Sequence, residues 1–261
     1  MAQTATPEGD GVAPEERTIV VAAARNGSLI VPEGDIDEHR RSILDGKLIV
    51  FRGVFDADEM IRLRRSVQAW SEAVPEFPRG ESASRPRLNF HRRDSGSVAT
   101  SMPHVFHQFG FGDLNSLPRE IADLVTPISE ALLALQNELA GTRFEIAKAG
   151  LRTKVIRHPR GGGFLAAHSH PFLPQRISVF LNLSEPAADY ASGGAAYKTS
   201  GLWIAPFEDF RIGNLLAWRY DLTHQVLPVD PGEPLKWEGD DGFWLYGLEM
   251  DEVHKHSKLA D

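Results

Sequence analysis

The chain has 261 residues, 42% hydrophobic and 25% charged, with no cysteine. That composition suits a soluble globular fold and excludes disulfide scaffolds, zinc–thiolate and iron–sulfur sites, and cysteine nucleophiles. With 28 Lys and Arg against 36 Asp and Glu the formal net charge is −8, so neither nucleic acid nor an anionic membrane is expected as a partner. No run reaches the roughly 18 apolar residues of a membrane span, and the N-terminus lacks a basic-then-apolar leader. A soluble cytoplasmic protein is the expectation.

Met1 to Arg17 (MAQTATPEGDGVAPEER) offers almost nothing to bury and reads as a disordered tail. From Thr18 onward a single domain, 18–261, is expected. TIVVAAA and KLIVFR (Lys47 to Arg52) are short apolar, β-branched runs that predict strands. Asp56 opens a predicted helix. Asp56 and Glu59 have capping-box spacing, and Met60, Leu63, Val67 and Trp70 follow at helical intervals. The stretch from about Pro75 to Asp113, rich in Arg, Ser, Pro and Gly, predicts a long functional excursion carrying His91, His104 and His107. A second helix is predicted from near Pro118 to Leu139. Pro118 suits its first turn, Ile121, Leu124, Val125, Ile128, Leu132, Leu135 and Leu139 form its stripe, and Gly141 suits its stop.

Beyond Gly141 the pattern changes to strands and turns: TKVIR, FLAAH, RISVFLNL, GGAAYK, NLLAW, HQVLPV and GFWLYGLE. In RISVFLNL the residues Ile177, Val179, Leu181 and Leu183 share one face with period two. Seven short strands without intervening helical stripes predict a mainly β domain, an antiparallel sandwich or barrel, with the two helices packed outside one sheet.

Within that region, Gly161, Gly162 and Gly163 lead into His168 and His170. Arg176 to Asn182 supply a strand and its Asn, Gly193 and Gly194 a Gly-Gly, and His224 stands in HQVLPV. In this order the residues resemble the jelly-roll iron(II)/2-oxoglutarate dioxygenases, most closely the prolyl-hydroxylase-like and phytanoyl-hydroxylase-like members. The resemblance covers about residues 150–250 and, more loosely, LDGKLIVFRGVFDADEM. It implies a cupin-like double-stranded β-helix with iron(II) held by His168, His170 and His224, 2-oxoglutarate and O2 as co-substrates, and a small-molecule substrate. Two ligands one residue apart at a strand end, with a third on a neighbouring strand, occupy one face of an octahedron and leave the rest open. A bare His-x-His is weak by itself, and the chain has a second one, His254 and His256, in the polar segment VHKHSKLAD, which reads as a solvated pair.

Two departures from that pattern matter. His170 stands where the family has Asp, which removes one negative charge from the iron. Imidazole remains a suitable ligand and would fill the room that related halogenases leave for chloride. The family also places an Arg or Lys about ten residues after the distal His to hold 2-oxoglutarate, and here Pro234 stands ten beyond His224. A buried carboxylate needs a charge-assisted partner. Lys236 is the first candidate, followed by Arg157, Arg176 and Arg219. Lys236 lies in the loop VDPGEPLKWEGDD, where a solvated charge is the simpler use. His104 and His107 are candidates for holding substrate, against a plain packing role.

Both departures keep open a 2-oxoglutarate-independent three-His dioxygenase whose substrate chelates the metal. A non-enzymatic binding protein on a decayed site is the remote alternative. PRGGGF lacks the Lys-Ser/Thr of a phosphate loop, no Gly-x-Ser-x-Gly elbow occurs, and Glu185 and Glu208 have no motif to make them a zinc hydrolase's base. Substrate and oligomeric state stay open.

Overall fold

The computed structural model describes residues 17–77, 89–95, 102–145, 151–250 and 258–259. In chain order the elements are β1 (Thr18–Asn26), β2 (Leu29–Pro32), α1 (Ile36–Leu44), β3 (Leu48–Arg52), α2 (Ala57–Ala73), β4 (Asn89–Ser95), β5 (His104–Phe111) and α3 (Arg119–Ala140). Then follow β6 (Leu151–His158), β7 (Gly163–Ser169), β8 (Ile177–Asn182), β9 (Gly194–Thr199), β10 (Leu202–Ile204), β11 (Leu215–Arg219), β12 (His224–Val229), β13 (Phe243–Met250) and β14 (Lys258–Leu259). The strands run β10-β9-β12-β7-β5-β6-β13-β8-β11-β3-β1-β2, with β4 on β5 and β14 on β7. Only the β1–β3 pair is parallel among the described strands. This order winds into a jelly roll, as the resemblance implied.

The core has two layers. Ile177, Val179 and Leu181 of β8 face the helices, where they pack with Ile128, Leu132 and Leu135 of α3. Phe180 points the other way, into the barrel, with Leu216 and Trp218 of β11 and Leu245 of β13. All six residues of β8 are therefore buried, as expected for a strand covered on both faces. Each large apolar side chain so buried contributes about 1.5–3 kcal/mol relative to exposure.

Both predicted helices form, with differences at their ends. The Asp56 carboxylate caps α2 by accepting from the N–H groups of Asp58 and Glu59 at 2.9 and 3.2 Å. Glu59 does not close the box, because its carboxylate is 3.0 Å from Arg25. Pro118 occupies the N-cap of α3 rather than its first turn, and Gly141 ends the helix at φ 65°. A side chain at that φ would meet its own backbone, which suits glycine.

The expectation of an irregular excursion over 75–113 is corrected. β4 and β5 form a regular antiparallel pair from Asn89↔Phe111 to Ser95↔Val105. Their Arg and His content hid them, because strand propensity follows apolar and β-branched residues while the ladder is made by backbone. α1, β2 and β10 also lie outside the elements that the sequence predicts. α1 buries only His39 and Ile43, too few to show a stripe.

Of the expected tail, residues 1–16 lie outside the described residues. Arg17 is buried, and its guanidinium donates to Thr199 O at 2.6 Å. His254 and His256 also lie outside the described residues. No helix among the described residues is long and apolar enough to cross a membrane.

Candidate metal centre

β7 and β12 are antiparallel neighbours with His168 directly opposite His224. Directly opposed residues present their side chains on the same face. The register shifts between His224 and Val226, which pairs with Leu165. A bulge of this kind re-aims side chains beside it. His170 follows just past the end of β7. The ring centroids lie 4.8 Å (His168–His170), 4.2 Å (His168–His224) and 5.1 Å (His170–His224) apart. One ligand atom from each residue falls within 4.8 Å of the others, and all three residues are buried. The sequence-predicted triad is thus brought together.

The tautomers of two rings follow from their partners. His168 Nδ1 lies 2.9 Å from Ala166 O, and His224 Nδ1 lies 2.9 Å from Leu222 O. A carbonyl only accepts, so each Nδ1 carries the hydrogen and each Nε2 presents a lone pair. That is the arrangement of imidazoles oriented for a metal. Converging nitrogen lone pairs in a buried cluster fit a ferrous ion well.

Aromatic rings brace the cluster. Tyr220 stacks on His170 at 4.5 Å and 15°, and Tyr197 stacks on His224 at 5.9 Å and 19°. Burial holds the Tyr220 phenol well above its ordinary pKa, helped by the Glu249 charge, and burial also raises Tyr197. Both phenols stay protonated and add no charge to the site.

The glycines of the motif act through backbone. A Cβ on Gly161 would lie 2.2 Å from Pro234 O, and one on Gly193 would lie 2.4 Å from Pro228 O. Gly162 N–H donates to Val229 O at 2.8 Å. These contacts seat the end of β12, and hence the strand carrying His224. Asn182 is structural: it donates to Phe210 O and accepts from Ser184 N–H at 2.9 Å.

The cation candidates go elsewhere. Lys236 is exposed, with its ammonium 2.6 Å from Asp241 Oδ2. Arg157 is fully buried on the helix side of β6 and donates to the carbonyls of Lys236, Trp237, Glu238 and Asp241 and to Asp241 Oδ1. Arg176 donates to Ala140 O at 2.7 Å, and Arg219 to Leu44 O at 3.0 Å and Asp221 Oδ1 at 2.6 Å. Each of the four is committed to holding a loop or helix end, the physical reason to withdraw it as a cofactor anchor.

Sequence reasoning missed two other cations. Val155 and Thr153 of β6 face the helices, Thr153 Oγ1 lying 2.7 Å from Ser129 Oγ of α3. Alternation then turns Arg152 and Lys154 to the opposite, barrel-side face. Both are buried, and Lys154 pairs with Glu249. Their signal is two basic residues in phase with each other and out of phase with Val155.

His104 and His107 are separated by the same alternation. His104 stacks on Phe106 at 4.1 Å on the barrel side, with its Nε2 3.4 Å from Asp94 Oδ2. The His107 ring lies 4.1 Å from that of Phe109, tilted by 35°, and Phe109 belongs to the helix-side core. Residues three apart in a strand face opposite ways, so His107 is withdrawn from the barrel site.

His158, at the end of β6, is buried between Phe106 and Phe243, and burial pushes its imidazole from 6.5 down to about 3. The unfolded chain takes up this proton near pH 6.5 and the folded chain only near 3. Stability present above pH 6.5 is therefore lost as pH falls through that window. His158→Phe is expected to flatten the loss of unfolding free energy across it, read by denaturant titration at a series of pH values. An unchanged slope would contradict the assignment.

No family model matches the sequence, and no curated protein sequence does. Among solved structures, the chain is similar to a Pseudomonas putida prolyl-4-hydroxylase at 14% identity and a TM-score of 0.51, over 82% of this chain and 97% of that one. It is similar to the non-haem alpha-ketoglutarate-dependent epimerase SnoN of nogalamycin biosynthesis at 11% identity and a TM-score of 0.50, over 82% of each chain. The chain shares the jelly-roll fold of these structures. Within it, the buried His168 and His224 stand on β7 and β12, and His170 just past the end of β7, in the arrangement that the sequence resemblance implied.

Proposed function

We propose that the chain is a non-haem iron(II) oxygenase that uses 2-oxoglutarate and O2 to oxidise a small molecule. The observation that carries this reading is the buried convergence of His168, His170 and His224 at the ends of two paired strands. Bound there, iron would supply the centre at which oxygen is activated, with succinate and carbon dioxide as the expected co-products of 2-oxoglutarate. The protein's own contribution is placement. Ala166 O and Leu222 O hold two imidazoles in the tautomer that offers Nε2. Tyr220 fixes the plane of His170. The apolar barrel wall of Phe180, Trp218 and Leu245 keeps water from the interior. Arg152, buried on the barrel side of β6, is the residue we assign to meet a carboxylate of the co-substrate, with Lys154 paired to Glu249 on the same face. The alpha-ketoglutarate dependence named for SnoN supports the choice of co-substrate.

A second reading is favoured by one observation: Lys236, Arg157, Arg176 and Arg219 are all turned to other partners. In it, substrate chelates a three-His iron directly and 2-oxoglutarate plays no part.

Anaerobic loading with iron(II) and 2-oxoglutarate, then exposure to oxygen with succinate measured, tests the proposal. Succinate formed in step with oxygen uptake is expected, even without the native substrate, as slow uncoupled turnover. Oxygen uptake without succinate supports the second reading, and no iron uptake at all defeats both.

A further inference from the structure

A cavity of about 470 Å³ opens on the helix side of the sheet, between the C-terminal end of α2, β4, β5 and the loop before β13. It lies on the face of β5 that carries His107, opposite the barrel face of His104. Two buried side chains lining it, His107 and Gln68, are 2% and 9% exposed, and each has a polar atom without a hydrogen-bond partner: His107 Nδ1 and Gln68 Oε1.

Both orphans are acceptors. Val74 O lies 2.9 Å from His91 Nε2, and a carbonyl only accepts, so His91 Nε2 carries the hydrogen. A neutral His91 then has its lone pair on Nδ1, which lies 3.1 Å from His107 Nε2. His107 therefore donates from Nε2 and keeps a bare lone pair on Nδ1. Burial pushes the His107 imidazole down to about 2, helped by the nearby charges of Arg157 and Arg93, so it stays neutral at physiological pH. Gln68 donates from Nε2 to Glu72 Oε1 at 3.3 Å, which leaves its carbonyl oxygen unmatched. Buried acceptors of this kind normally have a partner.

The walls carry three carboxylates against the one guanidinium of Arg93. Glu76 is paired with Arg93, while Glu72 and Glu238 carry two further carboxylates to the same cavity. Among the described residues, the only His, Asp and Glu cluster tight enough for a single metal ion is the one at His168, His170 and His224. The acceptors here are spread along the cavity. The occupant must be a hydrogen-bond donor, positively charged, and large enough to span the walls, with Trp237 and Val74 offering apolar surface to its body. We propose that this cavity binds a small organic ammonium, a protonated primary amine with an apolar body, at a site separate from the three-His centre.

Calorimetric titration of the full-length protein with phenethylamine near neutral pH tests this, with phenylacetate and 2-phenylethanol as the anionic and neutral counterparts of similar shape. Saturable one-to-one binding of phenethylamine is expected, at least about tenfold tighter than either counterpart. Glu72 and Glu238 are exposed, so the Glu72→Gln, Glu238→Gln double variant should fold normally and bind the amine at least about tenfold more weakly. His224→Ala should leave amine binding unchanged, which separates this site from an amine ligating iron. Equal binding of amine and phenylacetate, no saturable heat at about 1 mM amine, or an unaltered affinity in the double variant would each overturn the proposal, leaving water as the cavity's only occupant.

Discussion

Replacing His168 or His224 by Ala is expected to lower iron(II) affinity by more than about 100-fold. Loss of an outer partner of a metal ligand typically costs 10–100-fold, and loss of the ligand itself should exceed that. Each imidazole is buried and held by a backbone carbonyl two residues before it, Ala166 O or Leu222 O, so a neighbouring side chain cannot readily swing in as a substitute. His170→Ala should weaken binding in the same direction. His170→Asp should retain more affinity than His170→Ala, since a carboxylate also suits ferrous iron. It should still fall below the natural chain, because Asp cannot stack on Tyr220 as the His170 ring does at 4.5 Å. Competition with a coloured chelator under anaerobic conditions measures all four variants. Full iron affinity in both His168→Ala and His224→Ala would refute the centre. An affinity of His170→Ala equal to the natural chain would make His170 a bystander.

Arg157→Ala is expected to cost about 3 kcal/mol of stability, from a guanidinium whose bonds to carbonyls and a carboxylate are individually worth roughly 1.5–3 kcal/mol before the loop finds water. For a chain of this size that corresponds to a fall of about 6–12 °C in Tm. The side chain is fully buried and makes five hydrogen bonds to the 236–241 loop, so its removal frees the whole segment. Arg157→Lys should recover only part of the loss, because one ammonium cannot reproduce the fork. Thermal unfolding by circular dichroism reads the effect. An unchanged Tm with abolished 2-oxoglutarate binding would restore Arg157 as the cofactor's anchor.

The parts of the molecule that were legible in the sequence are those whose residues carry a local signal. β8 shows its helix-facing side as Ile177, Val179 and Leu181, with Leu183 just beyond it, all buried. His168, His170 and His224 were found by ordered context, since the spacing alone occurs twice in the chain. What was not legible depends on partners distant in sequence. β4 is a strand because β5 offers it a ladder, and its composition argues otherwise. That His104 and His107 face opposite ways was not legible either, because a loop has no faces, whereas a strand places them on opposite ones. In the sequence Lys236 and Arg157 read as separate cations, yet Arg157 holds the backbone that carries Lys236. Arg152 and Lys154 escaped notice because only the direction of β6 shows which of its basic residues turn into the barrel.

X-ray absorption at the iron edge, on protein loaded anaerobically with iron(II), tests the central claim most directly. The account predicts about one iron per chain with the multiple-scattering pattern of three imidazoles, His168, His170 and His224, and oxygen donors in the remaining positions. Iron bound with fewer than two imidazoles, or no stoichiometric iron in a folded chain, would contradict it.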